Sequence, residues 1–448
     1  MSPETRREIL KLALPVGLES VFQLGLGFVN QVIVGVLGTA TIAAVGLANN
    51  VLFIGILCLN VLGSGAAILA SRARGRGDQT EVWRITSLSL GFAVLLAAAI
   101  SLPLALFARP FLDAVGASTE VAAIGGPYLS LVALSLPLTV VSVVASTVFR
   151  TLGHPRLPMV VTMSVVALTP LLSLLLVFPL GMGAKGAALA AVLAQALRAG
   201  VLLGCLFWSR WGVRWAWPRL DEARLILRTM IPLVLPLFIT EILFSSGSFL
   251  YALLLERVGT QALAVFQIVN TLEGVFITVA IGLNSASTIL VGRAIGGRDR
   301  EGVWRMSGSV LSIGLVGAAG FGLAFALTGL LLSVLYPNAT AQVHTWGSLA
   351  IALNALFLPV KVSNMILFGT LASGGDTRYL LLSDIVTVFV VGLPLAYLLA
   401  FSLGLGLWGI FLGRLFGEEL SRITMLLWRY RAGRWFRLEP APAASGAN

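Results

Sequence analysis

The stretch RARGRGDQTEVWR at residues 72–84 returns as RAIGGRDREGVWR at residues 293–305, shifted by 221 positions. The shift holds without a gap from residues 15–84 to residues 236–305. Leu14-Pro15 recurs as Leu235-Pro236, Gly38-Thr39 as Gly259-Thr260, and Asn49 as Asn270. Because 221 is close to half of 448, the chain reads as a duplication. In so apolar a chain, a duplicated half predicts two membrane bundles with a path between them. Transport is therefore the first functional expectation.

The composition, 58% hydrophobic and 11% charged, falls far below the roughly 25% charge of a soluble domain. Most of the chain belongs in lipid, as short-looped helices of about 20 apolar residues each. The net charge of +11 sits in short loops between apolar runs, where it sets orientation rather than forming a nucleic-acid footprint. Cys58 and Cys205 are isolated within apolar runs, which excludes a disulfide framework. His154 and His344 stand alone, with no ligand at metal spacing. The run from Leu12 to Leu37 is too long for a signal-peptide core and is echoed at 233–258, so it reads as a retained first span.

Hydropathy and turn signals predict spans near 12–36, 42–70, 86–108, 127–149, 158–178 and 186–208. A second set follows near 231–255, 262–292, 307–335, 346–372, 379–401 and 407–428. The fold class is thus all-α, with twelve transmembrane helices in two six-helix bundles around a central cleft. Six spans return the chain to its starting side, so the repeats are parallel rather than inverted. The division runs 1–208 for the N-terminal lobe, 209–230 for a cytoplasmic interfacial linker, 231–428 for the C-terminal lobe and 429–448 for a tail, disordered beyond Leu438. Basic residues crowd one set of loops, leaving only Arg109, Lys185 and Arg257 opposite, which predicts both termini in the cytoplasm.

The echoes continue past the long repeat: FRTLGHPR at 149–156 matches FGTLASGGDTR at 368–378, and LGMGAKG at 180–186 matches LGLGLWG at 403–409. With VIVGVLGTATIAAVGLANN (32–50), PFLDAVGASTEVAAIGGPYL (110–129), LGMGAKGAALAAVLAQ (180–195), SGGDTRYLLL (373–382) and VGLPLAYLL (391–399), the chain resembles the multidrug and toxic compound extrusion family. The resemblance covers roughly residues 9–428. It implies two lobes about a cleft open alternately to each side, and export of organic, often cationic, compounds in exchange for protons or sodium ions. The chain departs from that pattern in four informative places. Asn30 stands where many members have an aspartate, and Thr169 and Ser173 replace the usual asparagines. Lys361 lies near a position where some sodium-coupled relatives carry a carboxylate. Glu241 retains the family's seventh-span glutamate.

An ionisable residue at mid-membrane costs about 2.5–3.5 kcal/mol on insertion scales and does not face lipid. The candidates are Glu19, Glu241, Glu273, Lys361 and Asp384. Glu19, Gln23 and Asn30 share one helical face, as do Glu241, Ser245 and Ser248; Glu273, Asn284 and Thr288 form a third stripe, with Asn270 one turn before. A buried carboxylate can hold a proton, a sodium ion or a cationic substrate, and competition among them is antiport. Glu241, Glu273 and Asp384 are accordingly the expected coupling-ion sites, with a sodium ion allowed at Glu241 and no other metal. Glu19, Gln23, Asn30, Lys361 and Asn364 are assigned to the substrate pathway.

A plainer reading makes these residues interhelical hydrogen-bonding glue, Lys361 a neutralising partner for a buried acid, and Asp384 half of an ion pair with Arg378. The paired loops lack the order of a phosphate-binding motif and read as topogenic and packing elements. The expected protein is a monomeric carrier in a bacterial inner membrane that needs no cofactor beyond an ion gradient. Its partners are small organic substrates and the bilayer, not nucleic acid. A lipid-linked precursor flippase of the wider superfamily is the alternative. An enzyme is disfavoured because no histidine lies within the spans, and a channel because the halves form no oligomeric pore.

Overall fold

A computed structural model describes residues 2–208 and 214–438, without the side chains of Leu26, Phe28, Gln31, Ile54 and Cys58. The tail expected to be disordered and the start of the linker lie outside the described residues. The first set of helices comprises α1 (Pro3–Gly35), α2 (Thr39–Gly75), α3 (Gln79–Leu106) and the short α4 (Ala108–Ala114). It continues with a span built from α5 (Thr119–Ala133) and α6 (Ser135–Thr151), then α7 (Arg156–Val177) and α8 (Gly183–Phe207). The second set opens with α9 (Leu220–Val258), α10 (Thr260–Gly296), α11 (Arg300–Thr328) and the short α12 (Leu332–Leu335), followed by α13 (Ala341–Ser373). The eleventh span joins α14 (Thr377–Asp384) and α15 (Leu393–Tyr397) through π-helical turns at Ile385–Gly392 and Leu398–Ser402. The twelfth runs from α16 (Leu407–Leu412) through a π-helical segment, Gly413–Leu420, into α17 (Ser421–Arg431).

Ten of these spans are long and apolar enough to cross a bilayer by length and composition. Helix α1 and the more highly charged last span complete two sets of six, the number the repeat predicts. Several helices overrun their apolar stretches, because polar end residues are held by caps rather than by hydropathy. Asp78 accepts a hydrogen bond from the Glu81 amide at 2.9 Å, and its repeat partner Asp299 accepts one from the Gly302 amide at 2.7 Å. The recurring aspartate of the paired loops is thus an N-cap, which satisfies an otherwise orphaned helical donor. Residues 220–229 of the linker are also helical and run continuously into the seventh span.

The described residues fall into two compact units. One comprises residues 2–17, 75–77 and 231–438; the other comprises 18–74, 78–208 and 214–230. The start of α1 belongs to the first of these because Ile9, Leu12 and Ala13 share a core with Ala280, Ile289 and Leu290 of α10. The crossing is tight. A Cβ on Gly282 would lie 2.1 Å from the Ala13 carbonyl oxygen, and one on Gly17 would lie 3.1 Å from that of Val279. Small residues allow such approach where the solvent is lipid and burial of apolar side chains gains nothing. Outward-facing Leu95, Leu106, Val316 and Leu330 are all largely exposed, as a lipid-facing surface requires.

The last two spans show the same device in longer form. Gly409, Gly413 and Gly417 recur every fourth residue and meet Ala400, Ala396 and Gly392 in antiparallel order. A Cβ on Gly413 would stand 2.4 Å from the Ala396 Cα, so the backbones themselves are in contact. Gly413→Ala is expected to destabilise the protein by about 1–3 kcal/mol. Gly200→Ala, which meets nothing within 4 Å, is expected to be neutral or slightly stabilising. Thermal melting of the two purified variants in the same detergent checks the contrast.

Candidate functional site

Within the unit built mainly from the second half, polar residues from five helices converge. Helix α9 supplies Thr240, Glu241 and Tyr251, and α10 supplies Asn270 and Glu273. Helix α13 supplies Asn354, Lys361 and Asn364, the end of α14 supplies Asp384, and the last span supplies Arg414, Glu418, Glu419 and Arg422. Their burial fixes the chemistry. Glu273 is 4% exposed and Asp384 7%, so neither carboxylate is stabilised by bulk water, and each requires a countercharge.

Glu273 forms a buried ion pair with Lys361, whose Nζ also donates to Asn354 Oδ1 at 2.9 Å. Asn354 in turn donates to the Ala350 carbonyl at 2.8 Å, which fixes its amide. Asp384 pairs not with Arg378 but with Arg422, whose Nε lies 3.1 Å from Oδ1. The same guanidinium reaches Glu418 through Nη2 at 3.2 Å. Asn364 donates to Glu419 Oε2 at 2.8 Å and to the Glu419 carbonyl at 3.1 Å. Arg414 donates to Asn270 Oδ1 at 2.9 Å and lies over the Phe266 ring.

Glu241 differs from the other acids. It is half-buried, and among the described residues it makes neither a hydrogen bond nor an ion pair. The charge that acts on it is Asp384, of like sign.

Further along α10, hydroxyls join it to α13. Ser287 meets Thr370 at 2.6 Å, and Thr288 reaches the Gly369 carbonyl at 3.3 Å, the interhelical hydrogen bonding expected of small polar residues in lipid. Asn284 Oδ1 is buried without a hydrogen-bond partner.

In the other unit Glu19 is 1% exposed and held from three sides. Arg150 Nη2 donates to Oε2 at 2.7 Å, Arg198 Nη2 to Oε1 at 2.9 Å, and Thr162 Oγ1 to Oε1 at 2.9 Å. Gln23, one turn on, is exposed, and Asn30 is half-buried with its Oδ1 unpartnered. The face shared by these three residues therefore carries a closed ionic cluster at one end and open polar groups beyond it. Thr169 and Ser173 are buried on α7.

The repeat relates the two clusters. Glu19 corresponds to Thr240 at the offset of 221, and Thr162 corresponds to Asp384 at an offset of 222. Arg198 and Arg422 occupy neighbouring helical positions in spans six and twelve, 224 residues apart. Each unit thus places an acid, a threonine and an arginine on its first, fifth and sixth spans, with acid and threonine exchanged; Thr162 donates to Glu19, whereas Thr240 Oγ1 is buried without a hydrogen-bond partner. Sequence reasoning alone did not single out Glu418, Glu419, Arg414, Arg422 or Arg198. The signal was present in GRLFGEELSR, residues 413–422, where Arg414, Glu418 and Arg422 recur every fourth residue inside an expected span.

A family model described as MatE matches residues 15–175 and 236–398, segments whose starting points are again 221 apart. A probable multidrug resistance protein NorM of Rhizobium meliloti (strain 1021) is 29% identical over 468 residues, covering 99% of this chain and 96% of that protein. A protein of the same description from Thermotoga maritima is 27% identical, covering 97% and 94%. Among solved structures, an outward-facing conformation of a multidrug resistance MATE family transporter of the MOP superfamily matches with a TM-score of 0.88 at 21% identity, over 97% of each chain.

Removing the charge of Glu19 leaves two buried guanidinium groups without an anion. Glu19→Gln is expected to cost about 3–5 kcal/mol, whereas Thr162→Val, which removes one hydrogen bond to a charged group, costs about 1.5–3 kcal/mol. Denaturation midpoints of the two variants, measured side by side, check that order.

Proposed function

The chain belongs to the MatE family, and from that premise we propose that it is a secondary-active multidrug efflux transporter. It exports organic, often cationic, compounds in exchange for protons or sodium ions. The observation that carries the coupling assignment is the isolation of Glu241. It is an intramembrane acid without a cationic partner among the described residues, whereas Glu273 has Lys361 and Asp384 has Arg422.

A carboxylate without a fixed countercharge takes one from solution. It binds a proton or sodium ion when the pathway opens to the side rich in that ion, and exchanges it for a cationic substrate on the other side. Glu273 and Asp384 support this exchange by holding their own cations, and Lys361 stands as a built-in cation beside the site. Coupling to one charge crossing about 100 mV supplies roughly 2.3 kcal/mol, about a fifty-fold concentration ratio. The loop arginines support an orientation with both termini in the cytoplasm of a bacterial cell.

In proteoliposomes with imposed proton or sodium gradients, the wild-type protein is expected to expel a fluorescent organic cation under at least one gradient. Glu241→Gln should abolish gradient-driven efflux while leaving the thermal melting of the protein unchanged. Undiminished efflux by a folded Glu241→Gln protein contradicts the assignment.

A further inference from the structure

The acid–threonine–arginine set common to both units is electrically neutral, since each contains one carboxylate and one guanidinium. What surrounds it differs. In the unit of Glu19 the addition is a second base, Arg150, on the same carboxylate. In the unit of Asp384 the additions are acids, Glu418 and Glu419, contributed by one turn of the last span. The shared set reads as architecture, and the additions mark where the halves have diverged in function.

Within the spans of the unit that holds Asp384, the charges do not balance. Lys361 is committed to Glu273. Arg422 stands between Asp384 and Glu418, and Arg414 meets the neutral Asn270 amide. Five carboxylates, with Glu241 and Glu419 included, therefore stand against three bases. The surplus is two negative charges, and an uncompensated carboxylate in low dielectric costs several kcal/mol. Glu241 accounts for one exchangeable cation. The second belongs elsewhere in the cluster.

Orphaned hydroxyls indicate where. Tyr251 is 2% exposed, and its Oη faces the Glu418 carboxyl without hydrogen-bond geometry to it. Gly392 leaves room at this point: a Cβ there would stand 2.5 Å from Tyr251 Oη, 2.8 Å from the Thr387 carbonyl oxygen and 3.1 Å from Glu418 Cβ. Glu418 and Thr387 both lie in π-helical turns, a backbone form that recurs at functional sites. Glu419, in contrast, is engaged twice by Asn364. A carboxylate, a phenolic hydroxyl and a carbonyl form the oxygen-only environment that suits a hard monovalent cation.

We propose that Glu418, with the Tyr251 hydroxyl and the Thr387 carbonyl beside Gly392, holds a second exchangeable monovalent cation, a proton or a sodium ion. The proposal rests on the reading of the chain as a cation-coupled exporter and adds a site on its last two spans. The charged groups that act on Glu418 are Arg422, Glu419 and Arg414 from the same span and Asp384 from the eleventh, while Lys361 of α13 acts on the neighbouring Glu419. Release of this cation changes the charge on Arg422's surroundings, which links the site to Asp384.

The test uses the purified full-length protein in detergent, with two arms. One counts bound radioactive sodium at fixed pH. The other counts protons released, in sodium-free solution, on a jump to higher pH. In one of the two arms Glu418→Gln is expected to lose about one cation equivalent per chain relative to wild type, which also identifies the ion. Tyr251→Phe keeps the equivalent but moves its midpoint about tenfold, the effect of one lost contact to a charged group.

Unchanged counts in both arms for a folded Glu418→Gln protein overturn the proposal. If that variant does not fold, an unmoved midpoint in Tyr251→Phe overturns it. Glu241→Gln is measured in parallel. If it alone leaves the counts unchanged, the second cation stands and the assignment of coupling to Glu241 falls.

Discussion

A carboxylate inside an apolar helical bundle needs a positive charge, and that single requirement organises this molecule. Water cannot supply the compensation at 1% exposure, as at Glu19, so the protein supplies Arg150 and Arg198. The same constraint places Lys361 on Glu273 and Arg422 between Asp384 and Glu418. Where no partner stands among the described residues, as at Glu241, the requirement remains, and in the proposed function a cation from the pathway meets it. Fixed pairs set the architecture, and the exchange we propose falls to the unpaired acid.

Backbone contact is the second constraint, and it follows from the solvent. Lipid offers no hydrophobic drive to bring apolar helices together, so close approach of backbones takes its place. The crossing of α1 over α10 at Gly17 and Gly282, and the Gly409–Gly413–Gly417 run against Ala400, Ala396 and Gly392, are both of this kind. They hold the start of the first helix and the last two spans in register. The ion pairs of the last span depend on that register, because Glu418 follows Gly417 directly and Arg422 lies one turn further on.

Much of this was legible in the sequence. The 221-residue repeat gave the six-plus-six architecture, and hydropathy placed the spans to within the polar ends that the Asp78 and Asp299 caps extend. The intramembrane acids were visible as costly residues, and the buried-pair reading of Lys361 agrees with its contact to Glu273. What could not be read was partnership across helices. Helical periodicity orders residues on one face but does not say which face of another helix meets it. Asp384 therefore suggested its sequence neighbour Arg378, whereas the structure gives it Arg422. Arg150 read as one of many loop arginines, although it reaches back to Glu19. The exchanged acid and threonine, Glu19 with Thr162 and Thr240 with Asp384, became visible only when contacts were laid over the repeat.

The proposed exchange makes Glu241, and not the closed cluster around Glu19, the acid that changes its ionic partner when substrate binds. Difference infrared spectroscopy of the carboxyl bands, recorded between cation-loaded protein and protein saturated with a fluorescent organic cation, tests it directly. A carboxyl difference signal is expected to persist unaltered in a Thr162→Val protein, where the Glu19 cluster is perturbed, and to lose the Glu241 band in Glu241→Gln. A signal that is unchanged in Glu241→Gln and altered in Thr162→Val would contradict it.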